Sequence, residues 1–185
     1  MDRDIFDDIA KSDVTKRSGK VRAGRYVFVL RNLTMGKKRK GLTTIFELVV
    51  LKATQIKKDV EPNEVGSVVG HFACFYGKQG EVAPGIVKEG ICALFNQDPA
   101  KIDKKELADT LADVFSEANQ ESTVQPMRGF MVQGETAEGG ENGERAYLHL
   151  SSVDPALNTQ EEIEKRRKEL ESNADLGSLD EETAE

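Results

Sequence analysis

The sequence has 185 residues, of which 38% are apolar and 32% are charged, and its net charge is −7. This length is enough to bury one hydrophobic core, and the high charged fraction predicts at least one solvated segment beside that core. A membrane-spanning helix is excluded, because no stretch approaches about 18 consecutive apolar residues. The acidic start, MDRDIFDDIAK, is unlike a signal peptide, so we expect a cytoplasmic protein.

The charges are distributed very unevenly along the chain. Residues 14–46 contain ten Lys or Arg and no Asp or Glu, so this segment carries +10 and leaves −17 for the rest. Residues 169–185 contain seven acids and no base. A basic body with an acidic tail is typical of a protein that binds a polyanion, although the net charge alone argues against such a partner.

The first half of the chain predicts a flexible arm followed by three strands. Residues 1–23 form the predicted arm, and order is expected to begin at Gly24. RYVFVL and LTTIFELVVLKA are rich in β-branched and aromatic residues, so they predict two strands. GKKRKG joins them, which predicts an antiparallel hairpin. After the turn cluster VEPNEVG, the segment SVVGHFACFYG predicts the third strand.

The middle of the chain changes to a helical period. GIVKEGICALFNQ, which follows Pro84, predicts a short helix, and DKKELADTLADVFSEANQ predicts a longer one. Asp103 is placed to cap the longer helix, with Glu106 three positions later. Its apolar face is formed by Leu107, Leu111, Val114, Phe115 and Ala118.

Two further strands are predicted by QPMRGFMVQGE and ERAYLHLSS, and Asn142-Gly143 between them favours a tight reversal. In the last strand Tyr147 is predicted on the face opposite Leu148. Asp154-Pro155 ends the strand region, so the predicted domain spans 24–153. Residues 154–185 predict a polar, solvated helix and then a disordered acidic tail.

The order of these elements is three strands, a helical insertion and two strands. This order predicts a mainly β fold with an α insertion, and specifically a five-stranded oligonucleotide-binding barrel, which carries its helix between the third and fourth strands. Small sandwiches and other barrels have a compatible order.

Several short motifs in this part of the chain resemble a family of bacteriophage single-stranded DNA-binding proteins with this barrel. The motifs are Gly24 with Tyr26, Arg39-Lys40-Gly41, the apolar strand 46–51, and Asn63 with Val65-Gly66. The match covers residues 24–75 and continues loosely through PMRGFMV and RAYLHL. The resemblance implies largely sequence-independent protection of single-stranded DNA in phage-type replication or recombination, in the host cytoplasm.

The acidic tail is, by the same resemblance, a candidate contact for replication or recombination proteins. Many single-strand binders end in acids followed by an aromatic residue, whereas this chain ends in EETAE. The tail is therefore also a candidate for occupying the basic groove when DNA is absent.

A single-strand binder needs cations along a groove and exposed aromatic rings. The candidate nucleic-acid-binding residues are Arg22, Arg25, Arg31, Lys37, Lys38, Arg39, Lys40, Phe72, Tyr76 and Tyr147. The alternative for the lysine-rich tip is that it only keeps a sheet edge soluble. The alternative for the rings is that they belong to the core.

No motif predicts an enzyme, a cofactor or a metal site. GKKRKG lacks the spacing of a nucleotide phosphate-binding loop. His71 and Cys74 have a metal-like spacing, but they are expected on opposite faces of a strand. Cys74 and Cys92 are expected to be reduced, buried thiols. The alternative function is a protein-interaction or phage structural module that uses the barrel without nucleic acid. The sequence gives no oligomeric state.

Overall fold

The structure, a computed structural model, describes residues 21–38, 40–77, 80–122, 125–139 and 145–172. The side chains of 137–139 and 145–147 lie outside this description, as do most of the predicted N-terminal arm and the acidic tail from residue 173. Within the described ranges, no helix combines the length and the apolar character needed to cross a membrane.

The described chain forms a mainly β fold with a helical insertion. The elements are β1 (Arg25–Lys38), β2 (Gly41–Thr54), β3 (Val68–Cys74), α1 (Ala83–Leu94), α2 (Lys104–Val114), α3 (Glu117–Glu121), β4 (Met131–Gly139), β5 (Arg145–Ser152), a 3₁₀ turn (Pro155–Asn158) and α4 (Gln160–Ser172). The predicted order of three strands, helices and two strands is confirmed. The chain packs slightly earlier than expected, because Val21 and Ala23 are already buried.

The five strands form one antiparallel sheet in the order β3-β2-β1-β4-β5. The predicted closed barrel is not formed: in the part of the chain that the structure describes, no ladder joins β3 to β5, and the sheet is open. Helix α1 contacts both of these edge strands. Nearly all of its residues are buried, so it fills the space between the edges that strand pairing would otherwise occupy.

The β1–β2 hairpin is longer than predicted. The pairing continues to Lys37 with Leu42 and Lys38 with Gly41, so GKKRKG is mostly strand and the connection is residues 39–40. The predicted loop was too long because glycine and lysine are common in turns. In the structure, the main chain of Gly36, Lys37 and Lys38 still pairs with β2.

A bulge in β1 changes which side chains face the core. The register jumps from Leu30 opposite Leu48 to Asn32 opposite Glu47, which leaves Arg31 as the extra residue. Before the bulge the even-numbered Leu30 is buried, and after it the odd-numbered Leu33 is buried. A strict two-residue alternation therefore fails at Arg31.

The core lies between the inner face of the sheet and helices α1 and α2. Its largest fully buried side chains are Phe28, Leu30, Leu33, Phe46, Leu48, Ile91, Leu94, Leu107, Leu111, Phe115 and Leu148. These residues form one continuous cluster, as expected for a domain of this size.

Helix α2 begins where the sequence predicts. Asp103 caps it, because its Oδ1 accepts the backbone N–H groups of Lys105 at 2.9 Å and Glu106 at 3.1 Å. The helix ends at Val114, however, and Ser116 caps the separate short helix α3. The prediction that Ala118 belongs to the apolar face is wrong, because this residue lies on α3 and is exposed.

The second edge of β1 is closed by side chains. Strand β4 pairs with β1 only between Arg25 and Val29. Farther along, the Gln125 Oε1 accepts the Leu33 N–H at 2.7 Å, and the Gln120 Oε1 accepts the Met35 N–H at 3.0 Å. Two amide side chains therefore satisfy backbone donors that a neighbouring strand would otherwise satisfy.

The prediction that α4 is fully solvated is wrong. Ile163 is 2% exposed and Arg166 is buried. The Arg166 guanidinium donates from Nε to the Gly129 carbonyl at 2.6 Å and from a terminal nitrogen to the Leu157 carbonyl at 2.7 Å. The helix lacks a broad apolar face, but charged donors bind it to the carbonyls of the segment before β4 and of the 3₁₀ turn.

Candidate nucleic-acid interface

The basic tip of the first hairpin is exposed. Lys37 and Lys38 end β1 within the ladder, and Lys40 lies in the turn. All three side chains project from main chain held by the hairpin. The predicted contact Arg39 lies outside the described residues, so its role stays a prediction.

An aromatic ring packs directly against this tip. Gly41 has φ of 151°, and a Cβ placed on it would lie 2.8 Å from Cδ1 of Tyr76. Both the backbone conformation and the close ring therefore require glycine at this position. The contact brings Tyr76 beside the lysines, although 35 positions separate it from Gly41 in the sequence.

The Tyr76 hydroxyl belongs to a small polar cluster. A hydrogen bond with the Cys74 side chain, followed by burial, raises the pKa of Tyr76, and a hydrogen bond with Thr43 opposes this rise. Tyr76 is therefore neutral at physiological pH and adds no negative charge beside the lysines. Cys74 is a half-buried free thiol, so the prediction that both thiols are buried holds only for Cys92.

Phe72 lies on the outer face of the sheet. Its neighbours His71 and Ala73 are buried on the inner face, whereas Phe72 is only half-buried. The ladder places it in a row with Ile45 of β2 and Thr34 of β1. The alternative that Phe72 belongs to the main core is not supported, because it lies on the other side of the sheet.

The structure therefore brings five candidate residues to one end of the β1–β3 surface. We call this surface the tip patch; it consists of Lys37, Lys38, Lys40, Phe72 and Tyr76. Phe72 is two strands away from β1, or about 10 Å across the sheet. The aromatic rings and the lysines of the tip patch are therefore separated by a distance that a few nucleotides would span.

Arg22 and Arg25 do not join this surface. Strand β1 has 14 residues and spans roughly 45 Å at about 3.3 Å per residue, and Arg25 is at its other end. The Arg25 Nε also pairs with the Glu135 Oε2 at 3.1 Å, which partly neutralises its charge. Arg22 is exposed near the same distant end, where its N–H donates to the Asn63 Oδ1 at 2.9 Å.

The Gly-x-Tyr and Asn motifs have a structural role at that distant end. The Tyr26 hydroxyl donates to the Arg22 carbonyl at 2.8 Å and accepts the Asn63 N–H at 3.0 Å. Its ring stacks on Phe28 with centroids 5.0 Å apart, and a Cβ on Gly24 would lie 2.9 Å from the hydroxyl. Burial raises the pKa of Tyr26. These motif residues fix the start of β1.

The remaining candidates lie apart from the tip patch or outside the description. Arg31 is half-buried at the β1 bulge. Tyr147 pairs with Ala137 through the β4–β5 ladder, but its side chain lies outside the described set. His149, two residues further along β5, contacts the Glu89 Oε1 of α1 through Nδ1 at 3.1 Å. Stacking by Tyr147 therefore stays a prediction.

Sequence reasoning missed two arginines near Arg31. The Arg128 Nε donates to the Arg31 carbonyl at 2.9 Å, and the Arg167 Nε donates to the Arg128 carbonyl at 2.8 Å. The only sequence signal was their positive charge within PMRGF and EKRRKE. In the described part of the chain, no group of three or more His, Cys, Asp or Glu side chains is arranged to hold a metal ion.

No family model, curated protein or solved structure matches the chain. The resemblance to phage single-stranded DNA-binding proteins therefore stays a prediction, and the geometry of the tip patch is the basis for a functional proposal.

Proposed function

We propose that the protein binds single-stranded DNA, largely independently of sequence, through the tip patch. The observation that carries this proposal is the packing of Tyr76 on the turn that holds Lys38 and Lys40, with Phe72 on the adjoining outer face. Unstacked bases have faces that stack on such rings, and the lysines supply the charge that phosphates need.

The strand order supports an oligonucleotide-binding type of fold. An oligonucleotide-binding barrel has the neighbours β3-β2-β1-β4-β5 and joins β3 to β5, and here α1 lies at that junction. Such folds bind their ligand on the strand 2–3 face, between the β1–β2 and β4–β5 loops. The tip patch combines that face with the β1–β2 connection.

The proposed role is the protection of single-stranded DNA in phage-type replication or recombination. A role of this kind needs affinity for the backbone and little discrimination among bases. Exposed lysines and neutral rings meet both needs, because neither reads the hydrogen-bonding edges of bases.

The test is a titration with a single-stranded oligonucleotide of about 16 nucleotides at several salt concentrations. Replacing Lys37, Lys38 and Lys40 by Gln should weaken binding roughly 10- to 100-fold at low salt and reduce the salt slope by about 2, because each single-strand phosphate contact contributes about 0.7. Phe72→Leu and Tyr76→Leu should each weaken binding by about 1–3 kcal/mol.

The matched control replaces Lys101, Lys104 and Lys105 by Gln, since these three exposed lysines lie around the start of α2. It removes the same charge from another surface. An equal loss of affinity in this control would show a nonspecific effect of net charge and contradict the proposal. Absence of wild-type binding at about 50 mM salt would contradict it directly.

A second candidate function, protein interaction, is favoured by one observation. A groove of about 640 Å³ between α4 and the sheet is lined by Val49, Leu51, Val65 and Leu170, among others. Leu51 is 41% exposed and Val65 is 67% exposed. If the oligonucleotide titration shows no binding, this apolar surface becomes the leading functional site.

A further inference from the structure

Three arginines lie beside the β1 bulge, joined by hydrogen bonds from one side chain to the main-chain carbonyl of the next. Arg167 donates its Nε to the carbonyl of Arg128, and Arg128 donates its Nε to the carbonyl of Arg31. All three side chains are half-buried. We call Arg31, Arg128 and Arg167 the arginine cluster.

Two members of the cluster carry positive charge without an ion-paired acid in the described part of the chain. Within the described residues, neither Arg128 nor Arg167 has a carboxylate in ion-pair contact, whereas the neighbouring Arg166 lies 3.7 Å from Glu162. Arg166 is also buried and serves the packing of α4. Arg128 and Arg167 therefore offer positive charge that a bound anion would neutralise.

The hydrogen bonds leave the charged ends of these side chains able to bind. A guanidinium has five N–H donors, and the described contacts of Arg128 use only the one on Nε. Arg167 uses Nε and one terminal nitrogen, the latter on the Pro126 carbonyl. Anchoring at Nε fixes the orientation of the terminal nitrogens, which have the geometry to hold two oxygens of a phosphate.

The cluster lies on the same strand as the basic tip. Arg31 precedes Lys38 by seven residues in β1, or roughly 23 Å. We infer that the arginine cluster binds a backbone phosphate of the same single strand that contacts the tip patch, so that the DNA follows β1. This inference rests on the proposed function and extends its binding path.

Oligonucleotide length tests the inference. With a strand of about 16 nucleotides, Arg128→Gln should weaken binding roughly 5- to 10-fold and lower the salt slope by about 0.7. With a strand of about 4 nucleotides, which is too short to span the tip patch and the cluster, Arg128→Gln should bind as the wild type does. Arg167→Gln should show the same dependence on length.

Two controls separate phosphate binding from other effects. Lys165→Gln removes one exposed charge from α4 next to Arg166 and should leave both affinities unchanged. Arg128→Lys retains the charge and should recover most of the salt slope. Melting curves should show a folded protein for at least one of the two glutamine variants, and that variant is used for the comparison.

The outcomes distinguish this inference from the proposed function. If the wild type binds, the tip variant weakens binding, and both arginine variants bind the long strand normally, the inference is overturned and the proposed function stands. If the wild type binds neither length, the proposed function fails first. If millimolar inorganic phosphate stabilises the wild type but not the arginine variants, and these variants bind DNA normally, the cluster is a free-phosphate site and the DNA path is overturned.

Discussion

His71 is a buried histidine with an unsatisfied ring nitrogen. Its side chain is on the inner face of β3, 1% exposed, and its ring lies 5.7 Å from that of Phe46. In the described residues, Nδ1 has no hydrogen-bond partner. Burial, and then the nearby His149, lower the pKa of His71 to about 3. The folded protein therefore holds this imidazole neutral well below its ordinary pKa.

This lowered pKa predicts a loss of stability in acid. Below about pH 6.5 the unfolded chain takes up a proton at His71 and the folded chain does not, until the pH reaches about 3. The contribution to the free energy of unfolding should therefore be flat above the ordinary pKa and fall by about 1.4 kcal/mol per pH unit below it. Urea unfolding between about pH 4 and 8 measures this, and His71→Phe should remove much of the slope.

An unchanged slope in His71→Phe would assign the acid sensitivity to other groups. Carboxylates also titrate toward the lower end of this range, so the decisive region is the upper part of the window, where they remain ionised.

Glycine positions show why residue-scale prediction is incomplete. Gly90 disfavours a helix by propensity, yet it lies within α1. A Cβ at Gly90 would lie 2.6 Å from Cζ of Phe46, so the absence of a side chain permits the helix to approach β2. The same reasoning applies to Gly41 and Tyr76. Neither contact can be predicted from local sequence, because the two partners come from different elements.

At the scale of the element, α4 shows the limit of counting apolar residues. Its polar composition predicts a solvated helix, but Arg166 and Arg167 reach carbonyls of residues that precede them by about 40 positions. The Arg166 side chain is buried between α4 and the turn at Gly129, and this burial lowers its pKa. The interaction depends on hydrogen-bond geometry, which a hydrophobic pattern does not encode.

Replacing Arg166 by Met should destabilise the protein by about 2–3 kcal/mol, because it removes charged donors from the carbonyls of Gly129 and Leu157. The matched control Lys165→Met changes an exposed neighbour and should remain within about 0.5 kcal/mol of the wild type. Urea unfolding measures both. Equal stability of the two variants would mean that α4 contributes little to the fold.

The strands and the basic tip of the first hairpin were predictable from the sequence, whereas the arginine cluster was not. β-branched runs identified the strands, and a run of lysines identified the tip. Arg128 meets Arg31 across 97 positions, and Gln125 meets Leu33 across 92. Tertiary folding alone creates such pairs, since nothing in either local segment specifies the other.

At the scale of the whole molecule, basic and acidic residues are segregated along the sequence. The tip patch and the arginine cluster lie along β1, although the chain carries a net charge of −7. Five of the acids are at positions 173–185, outside the described residues. The net charge of the chain therefore says little about the charge of the surface along β1.

Removing residues 173–185 should tighten binding of single-stranded DNA at low salt by roughly 3-fold or more, because the net charge rises from −7 to −2 and competition for the cations is removed. Cleavage after Ser172 keeps α4 whole. The effect should fade at high salt, where the Debye length shortens to about 3 Å. Oligonucleotide titration measures it.

The control retains the full length but replaces the five acids by their amides. It should bind as the truncated protein does if charge is responsible. Unchanged or weaker affinity after truncation would show that this segment does not compete with DNA.

The glutamine-covered part of β1 has a consequence for contacts between copies of the chain. Proteins that coat a strand stand side by side at high local concentration, where an open sheet edge would recruit the neighbouring chain. Gln120 and Gln125 already occupy the donors of Met35 and Leu33. Under the proposed function, neighbouring molecules would stand close together on a nucleic acid without joining their sheets at these two positions, because side-chain amides already occupy the backbone donors.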